Sequence, residues 1–281
     1  MTMGSAFWGL EPIECRDYGD PERPEVVVLH GGPAAVGNAA PIARALADQF
    51  RVLEPLQRGS GDEPLTVARH VSDLAYIIAD RCRSERPAIV GESWGAMLAL
   101  AFAAAHPDMA GPLVLVGCGT FDPRARERMR QTIQERQGEG IAKALADIAA
   151  RGEEATDALE EMLTLTRSVY DYDPIEPEAE DDEPVRFDAR AHEETWSDMV
   201  RLQEEGVYPT AFRSITGPVL MLHGEYDPHP GQMIRDSLLE VMPHLEYHAW
   251  DCCGHSPWME RQVRTEFYGV LARWLSERTR S

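Results

Sequence analysis

The segment PAIVGESWGAMLALAFAAAH, residues 87–106, decides the fold of this 281-residue chain. Pro87 to Val90 is apolar and predicts a buried strand, and Trp94 to His106 predicts a helix. Between them lies GESWG, residues 91–95. Glycines at both ends of a G-x-S-x-G turn let strand and helix approach closely and leave the serine exposed at the tip, which is typical of a nucleophile elbow. We therefore interpret Ser93 as a nucleophile.

Short apolar runs alternate with longer helical stretches along most of the chain. Runs such as VVVLH and LVLVG show no polar alternation, as expected of strands that are covered on both faces. The predicted strands are Val26–His30, Arg51–Glu54, Ala88–Gly91, Leu113–Gly117, Val219–His223 and Leu245–Trp250. This alternation predicts an α/β fold with a mostly parallel sheet flanked by helices.

The alternation breaks between about residues 120 and 216, where helical stretches dominate and no good buried strand occurs. The helices predicted there are Ile141–Ala150, Ala155–Thr166 and His192–Glu204. The stretch from Asp171 to Pro184 carries eight acidic residues and no basic one. Because like charges repel, we expect a solvated loop there. These features predict a helical cap, residues 120–216, inserted into a core formed by residues 1–119 and 217–281.

A serine hydroxyl is a poor nucleophile and needs a histidine base that is oriented by an acid. In a strand–elbow–helix architecture these partners follow the serine in the order acid, then histidine. Asp227 falls in the loop after the strand in PVLMLHGEYDP, and His255 in the loop that contains DCCGHSPW. Three residues on three strand ends in this order predict a catalytic triad of Ser93, Asp227 and His255.

Other acidic and histidine residues compete for these roles. Glu225 and Asp251 are alternative acids, but Asp251 lies too near the strand and the histidine. His248 would lie inside a strand, and His229 stands two residues from Asp227. No two histidines spaced i, i+4 lie on a predicted helix, since His248 of the pair His244 and His248 falls in a predicted strand, so we predict no metal site. QRGSGDEP lacks a phosphate-loop pattern, and no G-x-G-x-x-G follows a strand, so we predict no nucleotide cofactor.

The HGGP sequence at residues 30–33 ends the first long apolar strand. Acyl transfer needs two hydrogen-bond donors aimed at the developing oxyanion. One donor is expected from the N–H of Trp94, which follows the nucleophile, and the other from this early loop. Glycine lets the backbone approach a substrate and adopt a strained conformation. We therefore predict an oxyanion hole formed by Gly32 and Trp94.

Composition narrows the class of partner. Asp and Glu outnumber Lys and Arg by 48 to 27, giving a formal charge of −21. Nucleic acids and anionic membranes would be repelled, so we expect neither, and we expect a small-molecule or short-peptide substrate. The five cysteines show no C-x-x-C spacing, and the first residues show no secretory signal pattern. We therefore expect reduced thiols and a cytoplasmic protein, whereas the sequence says nothing about oligomeric state.

These motifs resemble those of α/β-hydrolases and, within them, of the proline-iminopeptidase group. The matching segments are HGGP at 30–33, QRGSG at 57–61, GESWG at 91–95, GEYD at 224–227 and GHSPW at 254–258. The chain departs from the group at three positions. Ala34 stands where a glycine-type residue is usual, Leu56 where an aspartate is usual, and Glu92 where a glycine precedes the serine. The resemblance implies a helical cap over the site and, in true iminopeptidases, acidic cap residues that bind the substrate's free amino terminus.

Helix geometry selects a candidate for that acidic cap residue. Counting 100° per residue from Trp196, Glu204 lies at about 80°, at the border of the apolar side, whereas Glu205 lies at about 180° and points away. A carboxylate at position 204 that is partly shielded from water could bind an ammonium group by a charge-assisted hydrogen bond. Glu204 is therefore the candidate substrate-binding residue.

The sequence predicts a serine hydrolase that acts through an acyl-enzyme on a small ester or amide, with N-terminal aminopeptidase activity as the sharper hypothesis. Its activity is expected to rise near neutral pH as His255 loses its proton. One alternative is a C–C bond hydrolase with the same triad. The other is a non-catalytic ligand receptor, because a fold does not establish a function. Dehalogenase and epoxide-hydrolase chemistry are disfavoured, since they use an aspartate where Ser93 stands.

Overall fold

A computed structural model of the protein describes residues 13–33, 35–150, 165–176 and 186–279. Position Ala34, most of the predicted helix Ala155–Thr166 and the second half of the acidic stretch lie outside these ranges. The strands are β1 (Cys15–Tyr18), β2 (Glu25–Leu29), β3 (Ala35–Val36), β4 (Arg51–Pro55), β5 (Ala88–Glu92), β6 (Leu113–Val116), β7 (Arg186–Phe187), β8 (Val219–Gly224) and β9 (Glu246–Trp250). The helices are α1 (Ala40–Leu46), α2 (Val67–Arg81), α3 (Trp94–Ala105), α4 (Pro123–Ala150), α5 (described over 165–170), α6 (Ala189–Glu204), α7 (Gly231–Leu239) and α8 (Arg264–Arg278).

Gly138 interrupts α4 with a positive φ of 55°, and a 3₁₀ helix covers Thr210–Ser214. Within the described ranges, none of the helices combines the length and the hydrophobicity that a membrane span requires.

Seven strands form one sheet in the order β1-β4-β2-β5-β6-β8-β9. All pairs are parallel except β1 with β4. The six predicted strands are confirmed, and their ends differ from the prediction by at most one residue. Strand β1, with the sequence CRDY, was not predicted, because an edge strand with three polar residues shows no apolar run. The predicted α/β fold with a mostly parallel sheet is confirmed.

The sheet is buried on both faces because alternate side chains of each strand point to opposite sides. In β2, Val27 and Leu29 pack in the same cluster as residues of α2 and α3. Val26 and Val28 lie in a second cluster that contains residues of α1 and α8. The uninterrupted apolar runs of the sequence therefore reflect burial from two directions.

The segment between β6 and β8 adds no strand to the large sheet within its described residues. Its strand β7 pairs with β3, just after the HGGP loop, and α6 packs on α2. Carboxylates of α6 accept backbone N–H groups at the start of α2: Glu194 from Leu65 at 2.8 Å, and Asp198 from Val67 at 2.9 Å. The helical cap with its boundaries at 120 and 216 stays a prediction.

The expectation of a solvated acidic loop is wrong at Asp171, the first residue of that stretch, whereas Tyr172 and Glu176 are exposed. Asp171 is buried, and the backbone N–H groups of Tyr172 and Asp173 donate to the two carboxylate oxygens of Glu260, each at 2.7 Å. The N–H of Gly254 donates to the same carboxylate at 2.7 Å. Glu260 is fully buried, and its charge satisfies three backbone donors. These bonds attach the segment after α5 to the loop that carries the predicted histidine.

We predict that Glu260→Gln destabilises the protein by about 1–3 kcal/mol, because an amide leaves at least one buried N–H without its acceptor. Urea unfolding would measure this as a lower midpoint at unchanged slope. Glu266→Gln on α8 is the matched control, since the Glu266 side chain is 59% exposed, and we expect a change within about 0.5 kcal/mol. Equal midpoints for the two variants would contradict the role given to Glu260.

Candidate active site

Ser93 occupies a sharp turn between β5 and α3. Its backbone has φ 52° and ψ −111°, and it is the one non-glycine residue with a positive φ among the described residues. A Cβ on Gly91 would lie 2.2 Å from the carbonyl oxygen of Gly95, and one on Gly95 would lie 2.3 Å from that of Leu29. A side chain at either position would overlap the backbone, so both residues must be glycine. The turn leaves Ser93 partly exposed at the carboxyl end of the sheet.

A hydrogen-bond network joins three of the sequence motifs. The indole N–H of Trp94 donates to Gln57 Oε1 at 2.8 Å, and Gln57 Nε2 donates to the carbonyl of His30 at 3.0 Å. The backbone N–H of Gln57 donates to His30 Nε2 at 3.0 Å, so Nδ1 carries the ring proton and donates to the Gly31 carbonyl. Burial lowers the pKa of His30 to about 4, which keeps the ring neutral. The network fixes the HGGP loop beside the elbow.

The two predicted oxyanion-hole residues lie at the ends of neighbouring strands. Gly32 follows β2 with a φ of 43°, a conformation that favours glycine. Trp94 is the first residue of α3, where a backbone N–H has no acceptor within the helix. The backbone N–H groups of Gly32 and Trp94 therefore lie at the same end of the sheet, as two donors of one oxyanion hole would.

Asp227 and His255 are brought together by β8 and β9, which are neighbours in the sheet. His255 Nδ1 lies 2.7 Å from Asp227 Oδ2, and Asp227 is buried. The alternative acids Glu225 and Asp251 are exposed. Among the acidic residues of the two loops, Asp227 is therefore the one suited to orient the imidazole.

The Asp227 carboxylate has a second histidine partner that the sequence analysis set aside. His229 Nδ1 lies 2.8 Å from Asp227 Oδ1, and the backbone N–H of His229 donates to the same oxygen at 2.9 Å. The rings of His229 and His255 stack at 4.8 Å with an interplanar angle of 22°. His223 Nε2 lies 3.4 Å from Asp227 Oδ2 and hydrogen-bonds the His229 carbonyl at 2.9 Å. The sequence places His229 two residues after Asp227, and this D-x-H spacing is the pattern from which the contact could have been predicted.

Donor atoms of Asp227, His229 and His255 lie within 4.8 Å of one another, a spacing that a metal ion could use. The two stacked rings are nearly parallel, so their in-plane nitrogen lone pairs do not converge on one point. Each Nδ1 already faces a carboxylate oxygen. We therefore interpret the group as a hydrogen-bonded cluster.

The charged residues of the cluster shift the pKa values of both Asp227 and His255. Burial would raise the pKa of Asp227, but His255, His229 and His223 outweigh it and hold that pKa well below its ordinary value. Burial would lower the pKa of His255, but the charges of Asp227, Glu92 and Asp171, together with the hydrogen bond that Nδ1 donates to Asp227, raise it to about 9. The expected ionisation near neutral pH therefore moves to alkaline pH.

Two further acids near His255 were not recognised from the sequence. Glu92 Oε1 lies 3.5 Å from His255 Nε2. Burial raises the pKa of Glu92, and the charge of His255 and the hydrogen bond from Asn38 oppose this rise by favouring the charged carboxylate. Burial also raises the pKa of Asp171 to about 6, and its Oδ1 has no hydrogen-bond partner among the described residues. Glu92 was visible as a departure from the family motif, whereas nothing in the sequence indicated that Asp171 is buried.

The structure places Glu204 away from the shielded position that was expected of it. Glu204 is the last residue of α6 and is exposed to solvent. Its negative charge favours the charged form of Arg126 in α4, that is, it raises the pKa of that side chain against the effect of burial. The expected shielding is wrong because the helix ends at this residue.

Comparisons with known proteins agree with this architecture. A model of the alpha/beta hydrolase family matches residues 26–266. The 2-hydroxy-6-oxononadienedioate/2-hydroxy-6-oxononatrienedioate hydrolase of Cupriavidus pinatubonensis is 30% identical over 86% of this chain and 84% of its own. A probable proline iminopeptidase of Streptomyces coelicolor is 34% identical over 36% of this chain and 35% of its own.

The fold is also found among solved structures. A thermophilic esterase from Thermogutta terrifontis superposes with a TM-score of 0.64 at 19% identity, over 95% of this chain and 94% of that one. At this identity the likeness concerns the fold, whereas the family match and the full-length relative concern the sequence itself. The chain therefore belongs to the α/β-hydrolase family and is a hydrolase.

Proposed function

We propose that the protein is a serine hydrolase that acts through an acyl-enzyme on small esters or amides. The observation that carries the proposal is the 2.7 Å contact between Asp227 Oδ2 and His255 Nδ1. It occurs at the edge of the sheet where the strained turn of β5 presents Ser93. A nucleophile, a base and an orienting acid on three strand ends are the groups that acyl transfer requires.

In the acylation step, His255 Nε2 takes the proton of the Ser93 hydroxyl while Oγ attacks the substrate carbonyl carbon. Asp227 accepts the Nδ1–H bond and stabilises the imidazolium that forms. The negative charge that develops on the carbonyl oxygen is met by the backbone N–H groups of Gly32 and Trp94. When the tetrahedral intermediate collapses, the bond to the leaving group breaks and that group takes the proton from His255.

Deacylation repeats these steps with water. His255 removes a proton from a water molecule, whose oxygen attacks the acyl carbon of the Ser93 ester. The intermediate then releases the carboxylic acid, and the serine oxygen recovers its proton from the imidazolium. The same groups therefore serve both half-reactions.

A C–C bond hydrolase is the second candidate, and the observation in its favour is the Cupriavidus relative, which aligns over most of both chains. That relative is named for dioate substrates, which carry two carboxylates. In this chain Glu92, Asp171 and Asp227 surround the imidazole. Because these acids repel a dianion, the charge of the site favours a neutral ester or amide.

We expect a fluorophosphonate probe to label Ser93, since the serine of an elbow is activated by its histidine. Ser93→Ala should lose labelling and turnover while its circular dichroism spectrum stays unchanged. Mass spectrometry of the labelled peptide identifies the site. Labelling of another serine, or near-native turnover by the alanine variant, would refute the assignment of Ser93, whereas a wild type that shows neither labelling nor turnover would favour a binding protein with this fold.

Asp227→Asn is expected to lower kcat by about 10⁴-fold, because the amide favours the wrong tautomer of His255. Asp251→Asn is the matched control, since Asp251 is exposed in the neighbouring loop and we expect less than about a twofold change. Steady-state kinetics on one ester would compare the two variants. A silent Asp227→Asn would show that Asp227 does not orient the base.

A substrate panel separates the candidate reactions. p-Nitrophenyl esters, aminoacyl β-naphthylamides including proline, and a 2-hydroxy-6-oxo-dienedioate should be compared by kcat/KM. We expect the neutral esters to exceed the dioate by at least about tenfold, because the acids around His255 oppose a dianion. Preferred turnover of the dioate would instead establish the C–C hydrolase, and preferred turnover of the proline amide the aminopeptidase.

A further inference from the structure

Glu92, the residue before the proposed nucleophile, is a feature of this chain that the proposed triad does not use. Its side chain is 5% exposed, and Oε1 lies 3.5 Å from His255 Nε2, the ring nitrogen that receives the serine proton in the proposed mechanism. His255 therefore has a carboxylate facing each of its ring nitrogens, Asp227 at Nδ1 and Glu92 at Nε2.

The position of the Glu92 carboxylate is fixed by the HGGP loop. Asn38 Nδ2 donates to Glu92 Oε2 at 3.2 Å, and Asn38 Oδ1 accepts the backbone N–H of Gly31 at 3.0 Å. A Cβ on Gly31 would lie 1.7 Å from Glu92 Oε2, so the first glycine of HGGP makes room for this carboxylate. The loop that holds the predicted oxyanion donor thus also holds Glu92 in place.

Titratable groups face His255 from several elements. Besides Asp227 and Glu92, the buried Asp171 approaches from the segment after α5 and adds a third negative charge. His229 stacks on the ring at 4.8 Å, and Tyr170 packs edge-on at 5.5 Å. Of the three acids, Glu92 is the one beside Nε2, where proton transfer would take place.

We propose that Glu92 is a positioning residue that holds the protonated His255 between two carboxylates and thereby makes acyl transfer by Ser93 depend on alkaline pH. This inference rests on the proposed serine-hydrolase function. The base must be neutral to accept the serine proton, so a group that stabilises the imidazolium delays the onset of activity as the pH rises. The same contact stabilises the imidazolium that forms in each transition state.

The direction of the pH effect follows from the sign of the shift. The pKa of His255 is raised to about 9 from an ordinary value of 6.5, so most of the ring is protonated at pH 7 and becomes neutral as the pH rises through 9. An opposite charge within about 4–6 Å shifts a pKa by about 1–3 units. Removing the charge of Glu92 therefore moves the onset of activity towards neutral pH.

The test is the pH dependence of fluorophosphonate labelling and of ester kcat/KM in Glu92→Gln. We expect the midpoint of the rising limb to move down by about 1–3 pH units, with faster labelling at pH 7 than in the wild type. Glu92→Asp keeps the charge and should keep an alkaline midpoint. Glu54→Gln is the control and should leave the midpoint where it is in the wild type. Glu54 is also a buried carboxylate, but its partners are Tyr18 and Arg16 and not His255.

A measurement without turnover separates this inference from the proposed function. NMR titration of the His255 ring in a Ser93→Ala background should show the same downward shift when Glu92→Gln is added. If Glu92→Gln does not fold, Asn38→Ala removes a donor that favours the charged carboxylate, and it should shift the midpoint in the same direction by less. An unchanged His255 midpoint overturns the role of Glu92, whereas a wild type that resists labelling even above pH 9, where the imidazole is neutral, overturns the serine mechanism alone.

Discussion

Close packing of backbone against backbone at the start of α3 is the constraint on which the rest of the site depends. Any side chain at Gly95 would overlap the carbonyl of Leu29, and any at Gly91 would overlap that of Gly95. With both glycines in place, the helix begins directly against β2 and β5, and Ser93 takes the strained conformation that remains. Strain of this kind persists where the surrounding structure determines the conformation, as at many functional sites.

One buried carboxylate organises the other half of the site. One oxygen of Asp227 hydrogen-bonds His255 and the other hydrogen-bonds His229. The carboxylate therefore stays ionised, although burial alone would favour its neutral form. Glu260 plays the corresponding role for the backbone, since its two oxygens collect three N–H groups from two separate segments. Both carboxylates join loops that are distant in sequence, and each is stabilised by the hydrogen bonds that it collects.

Much of the fold and part of the site follow from the sequence alone. The uninterrupted apolar runs predicted six of the seven strands in the sheet, because two-sided burial leaves a local signal in each strand. GESWG predicted the turn at Ser93, because close packing demands glycines at fixed positions. The order of Asp227 and His255 after consecutive strands predicted their meeting, since parallel neighbouring strands end at the same edge. These features depend on residues near one another in the chain or on the regular geometry of the sheet.

Tertiary structure alone decided the features that depend on contacts between distant segments. A run of acidic residues predicts solvation, yet Asp171 is buried because Glu260, far along the chain, accepts the amides that follow it. Helix phase placed Glu204 near a shielded face, but the end of α6 exposes it. The contact of Glu92 with His255 joins the last residue of β5 to the loop after β9. Composition and periodicity report the environment of a segment on average, whereas burial of a single charge is decided by the partner that folding brings to it.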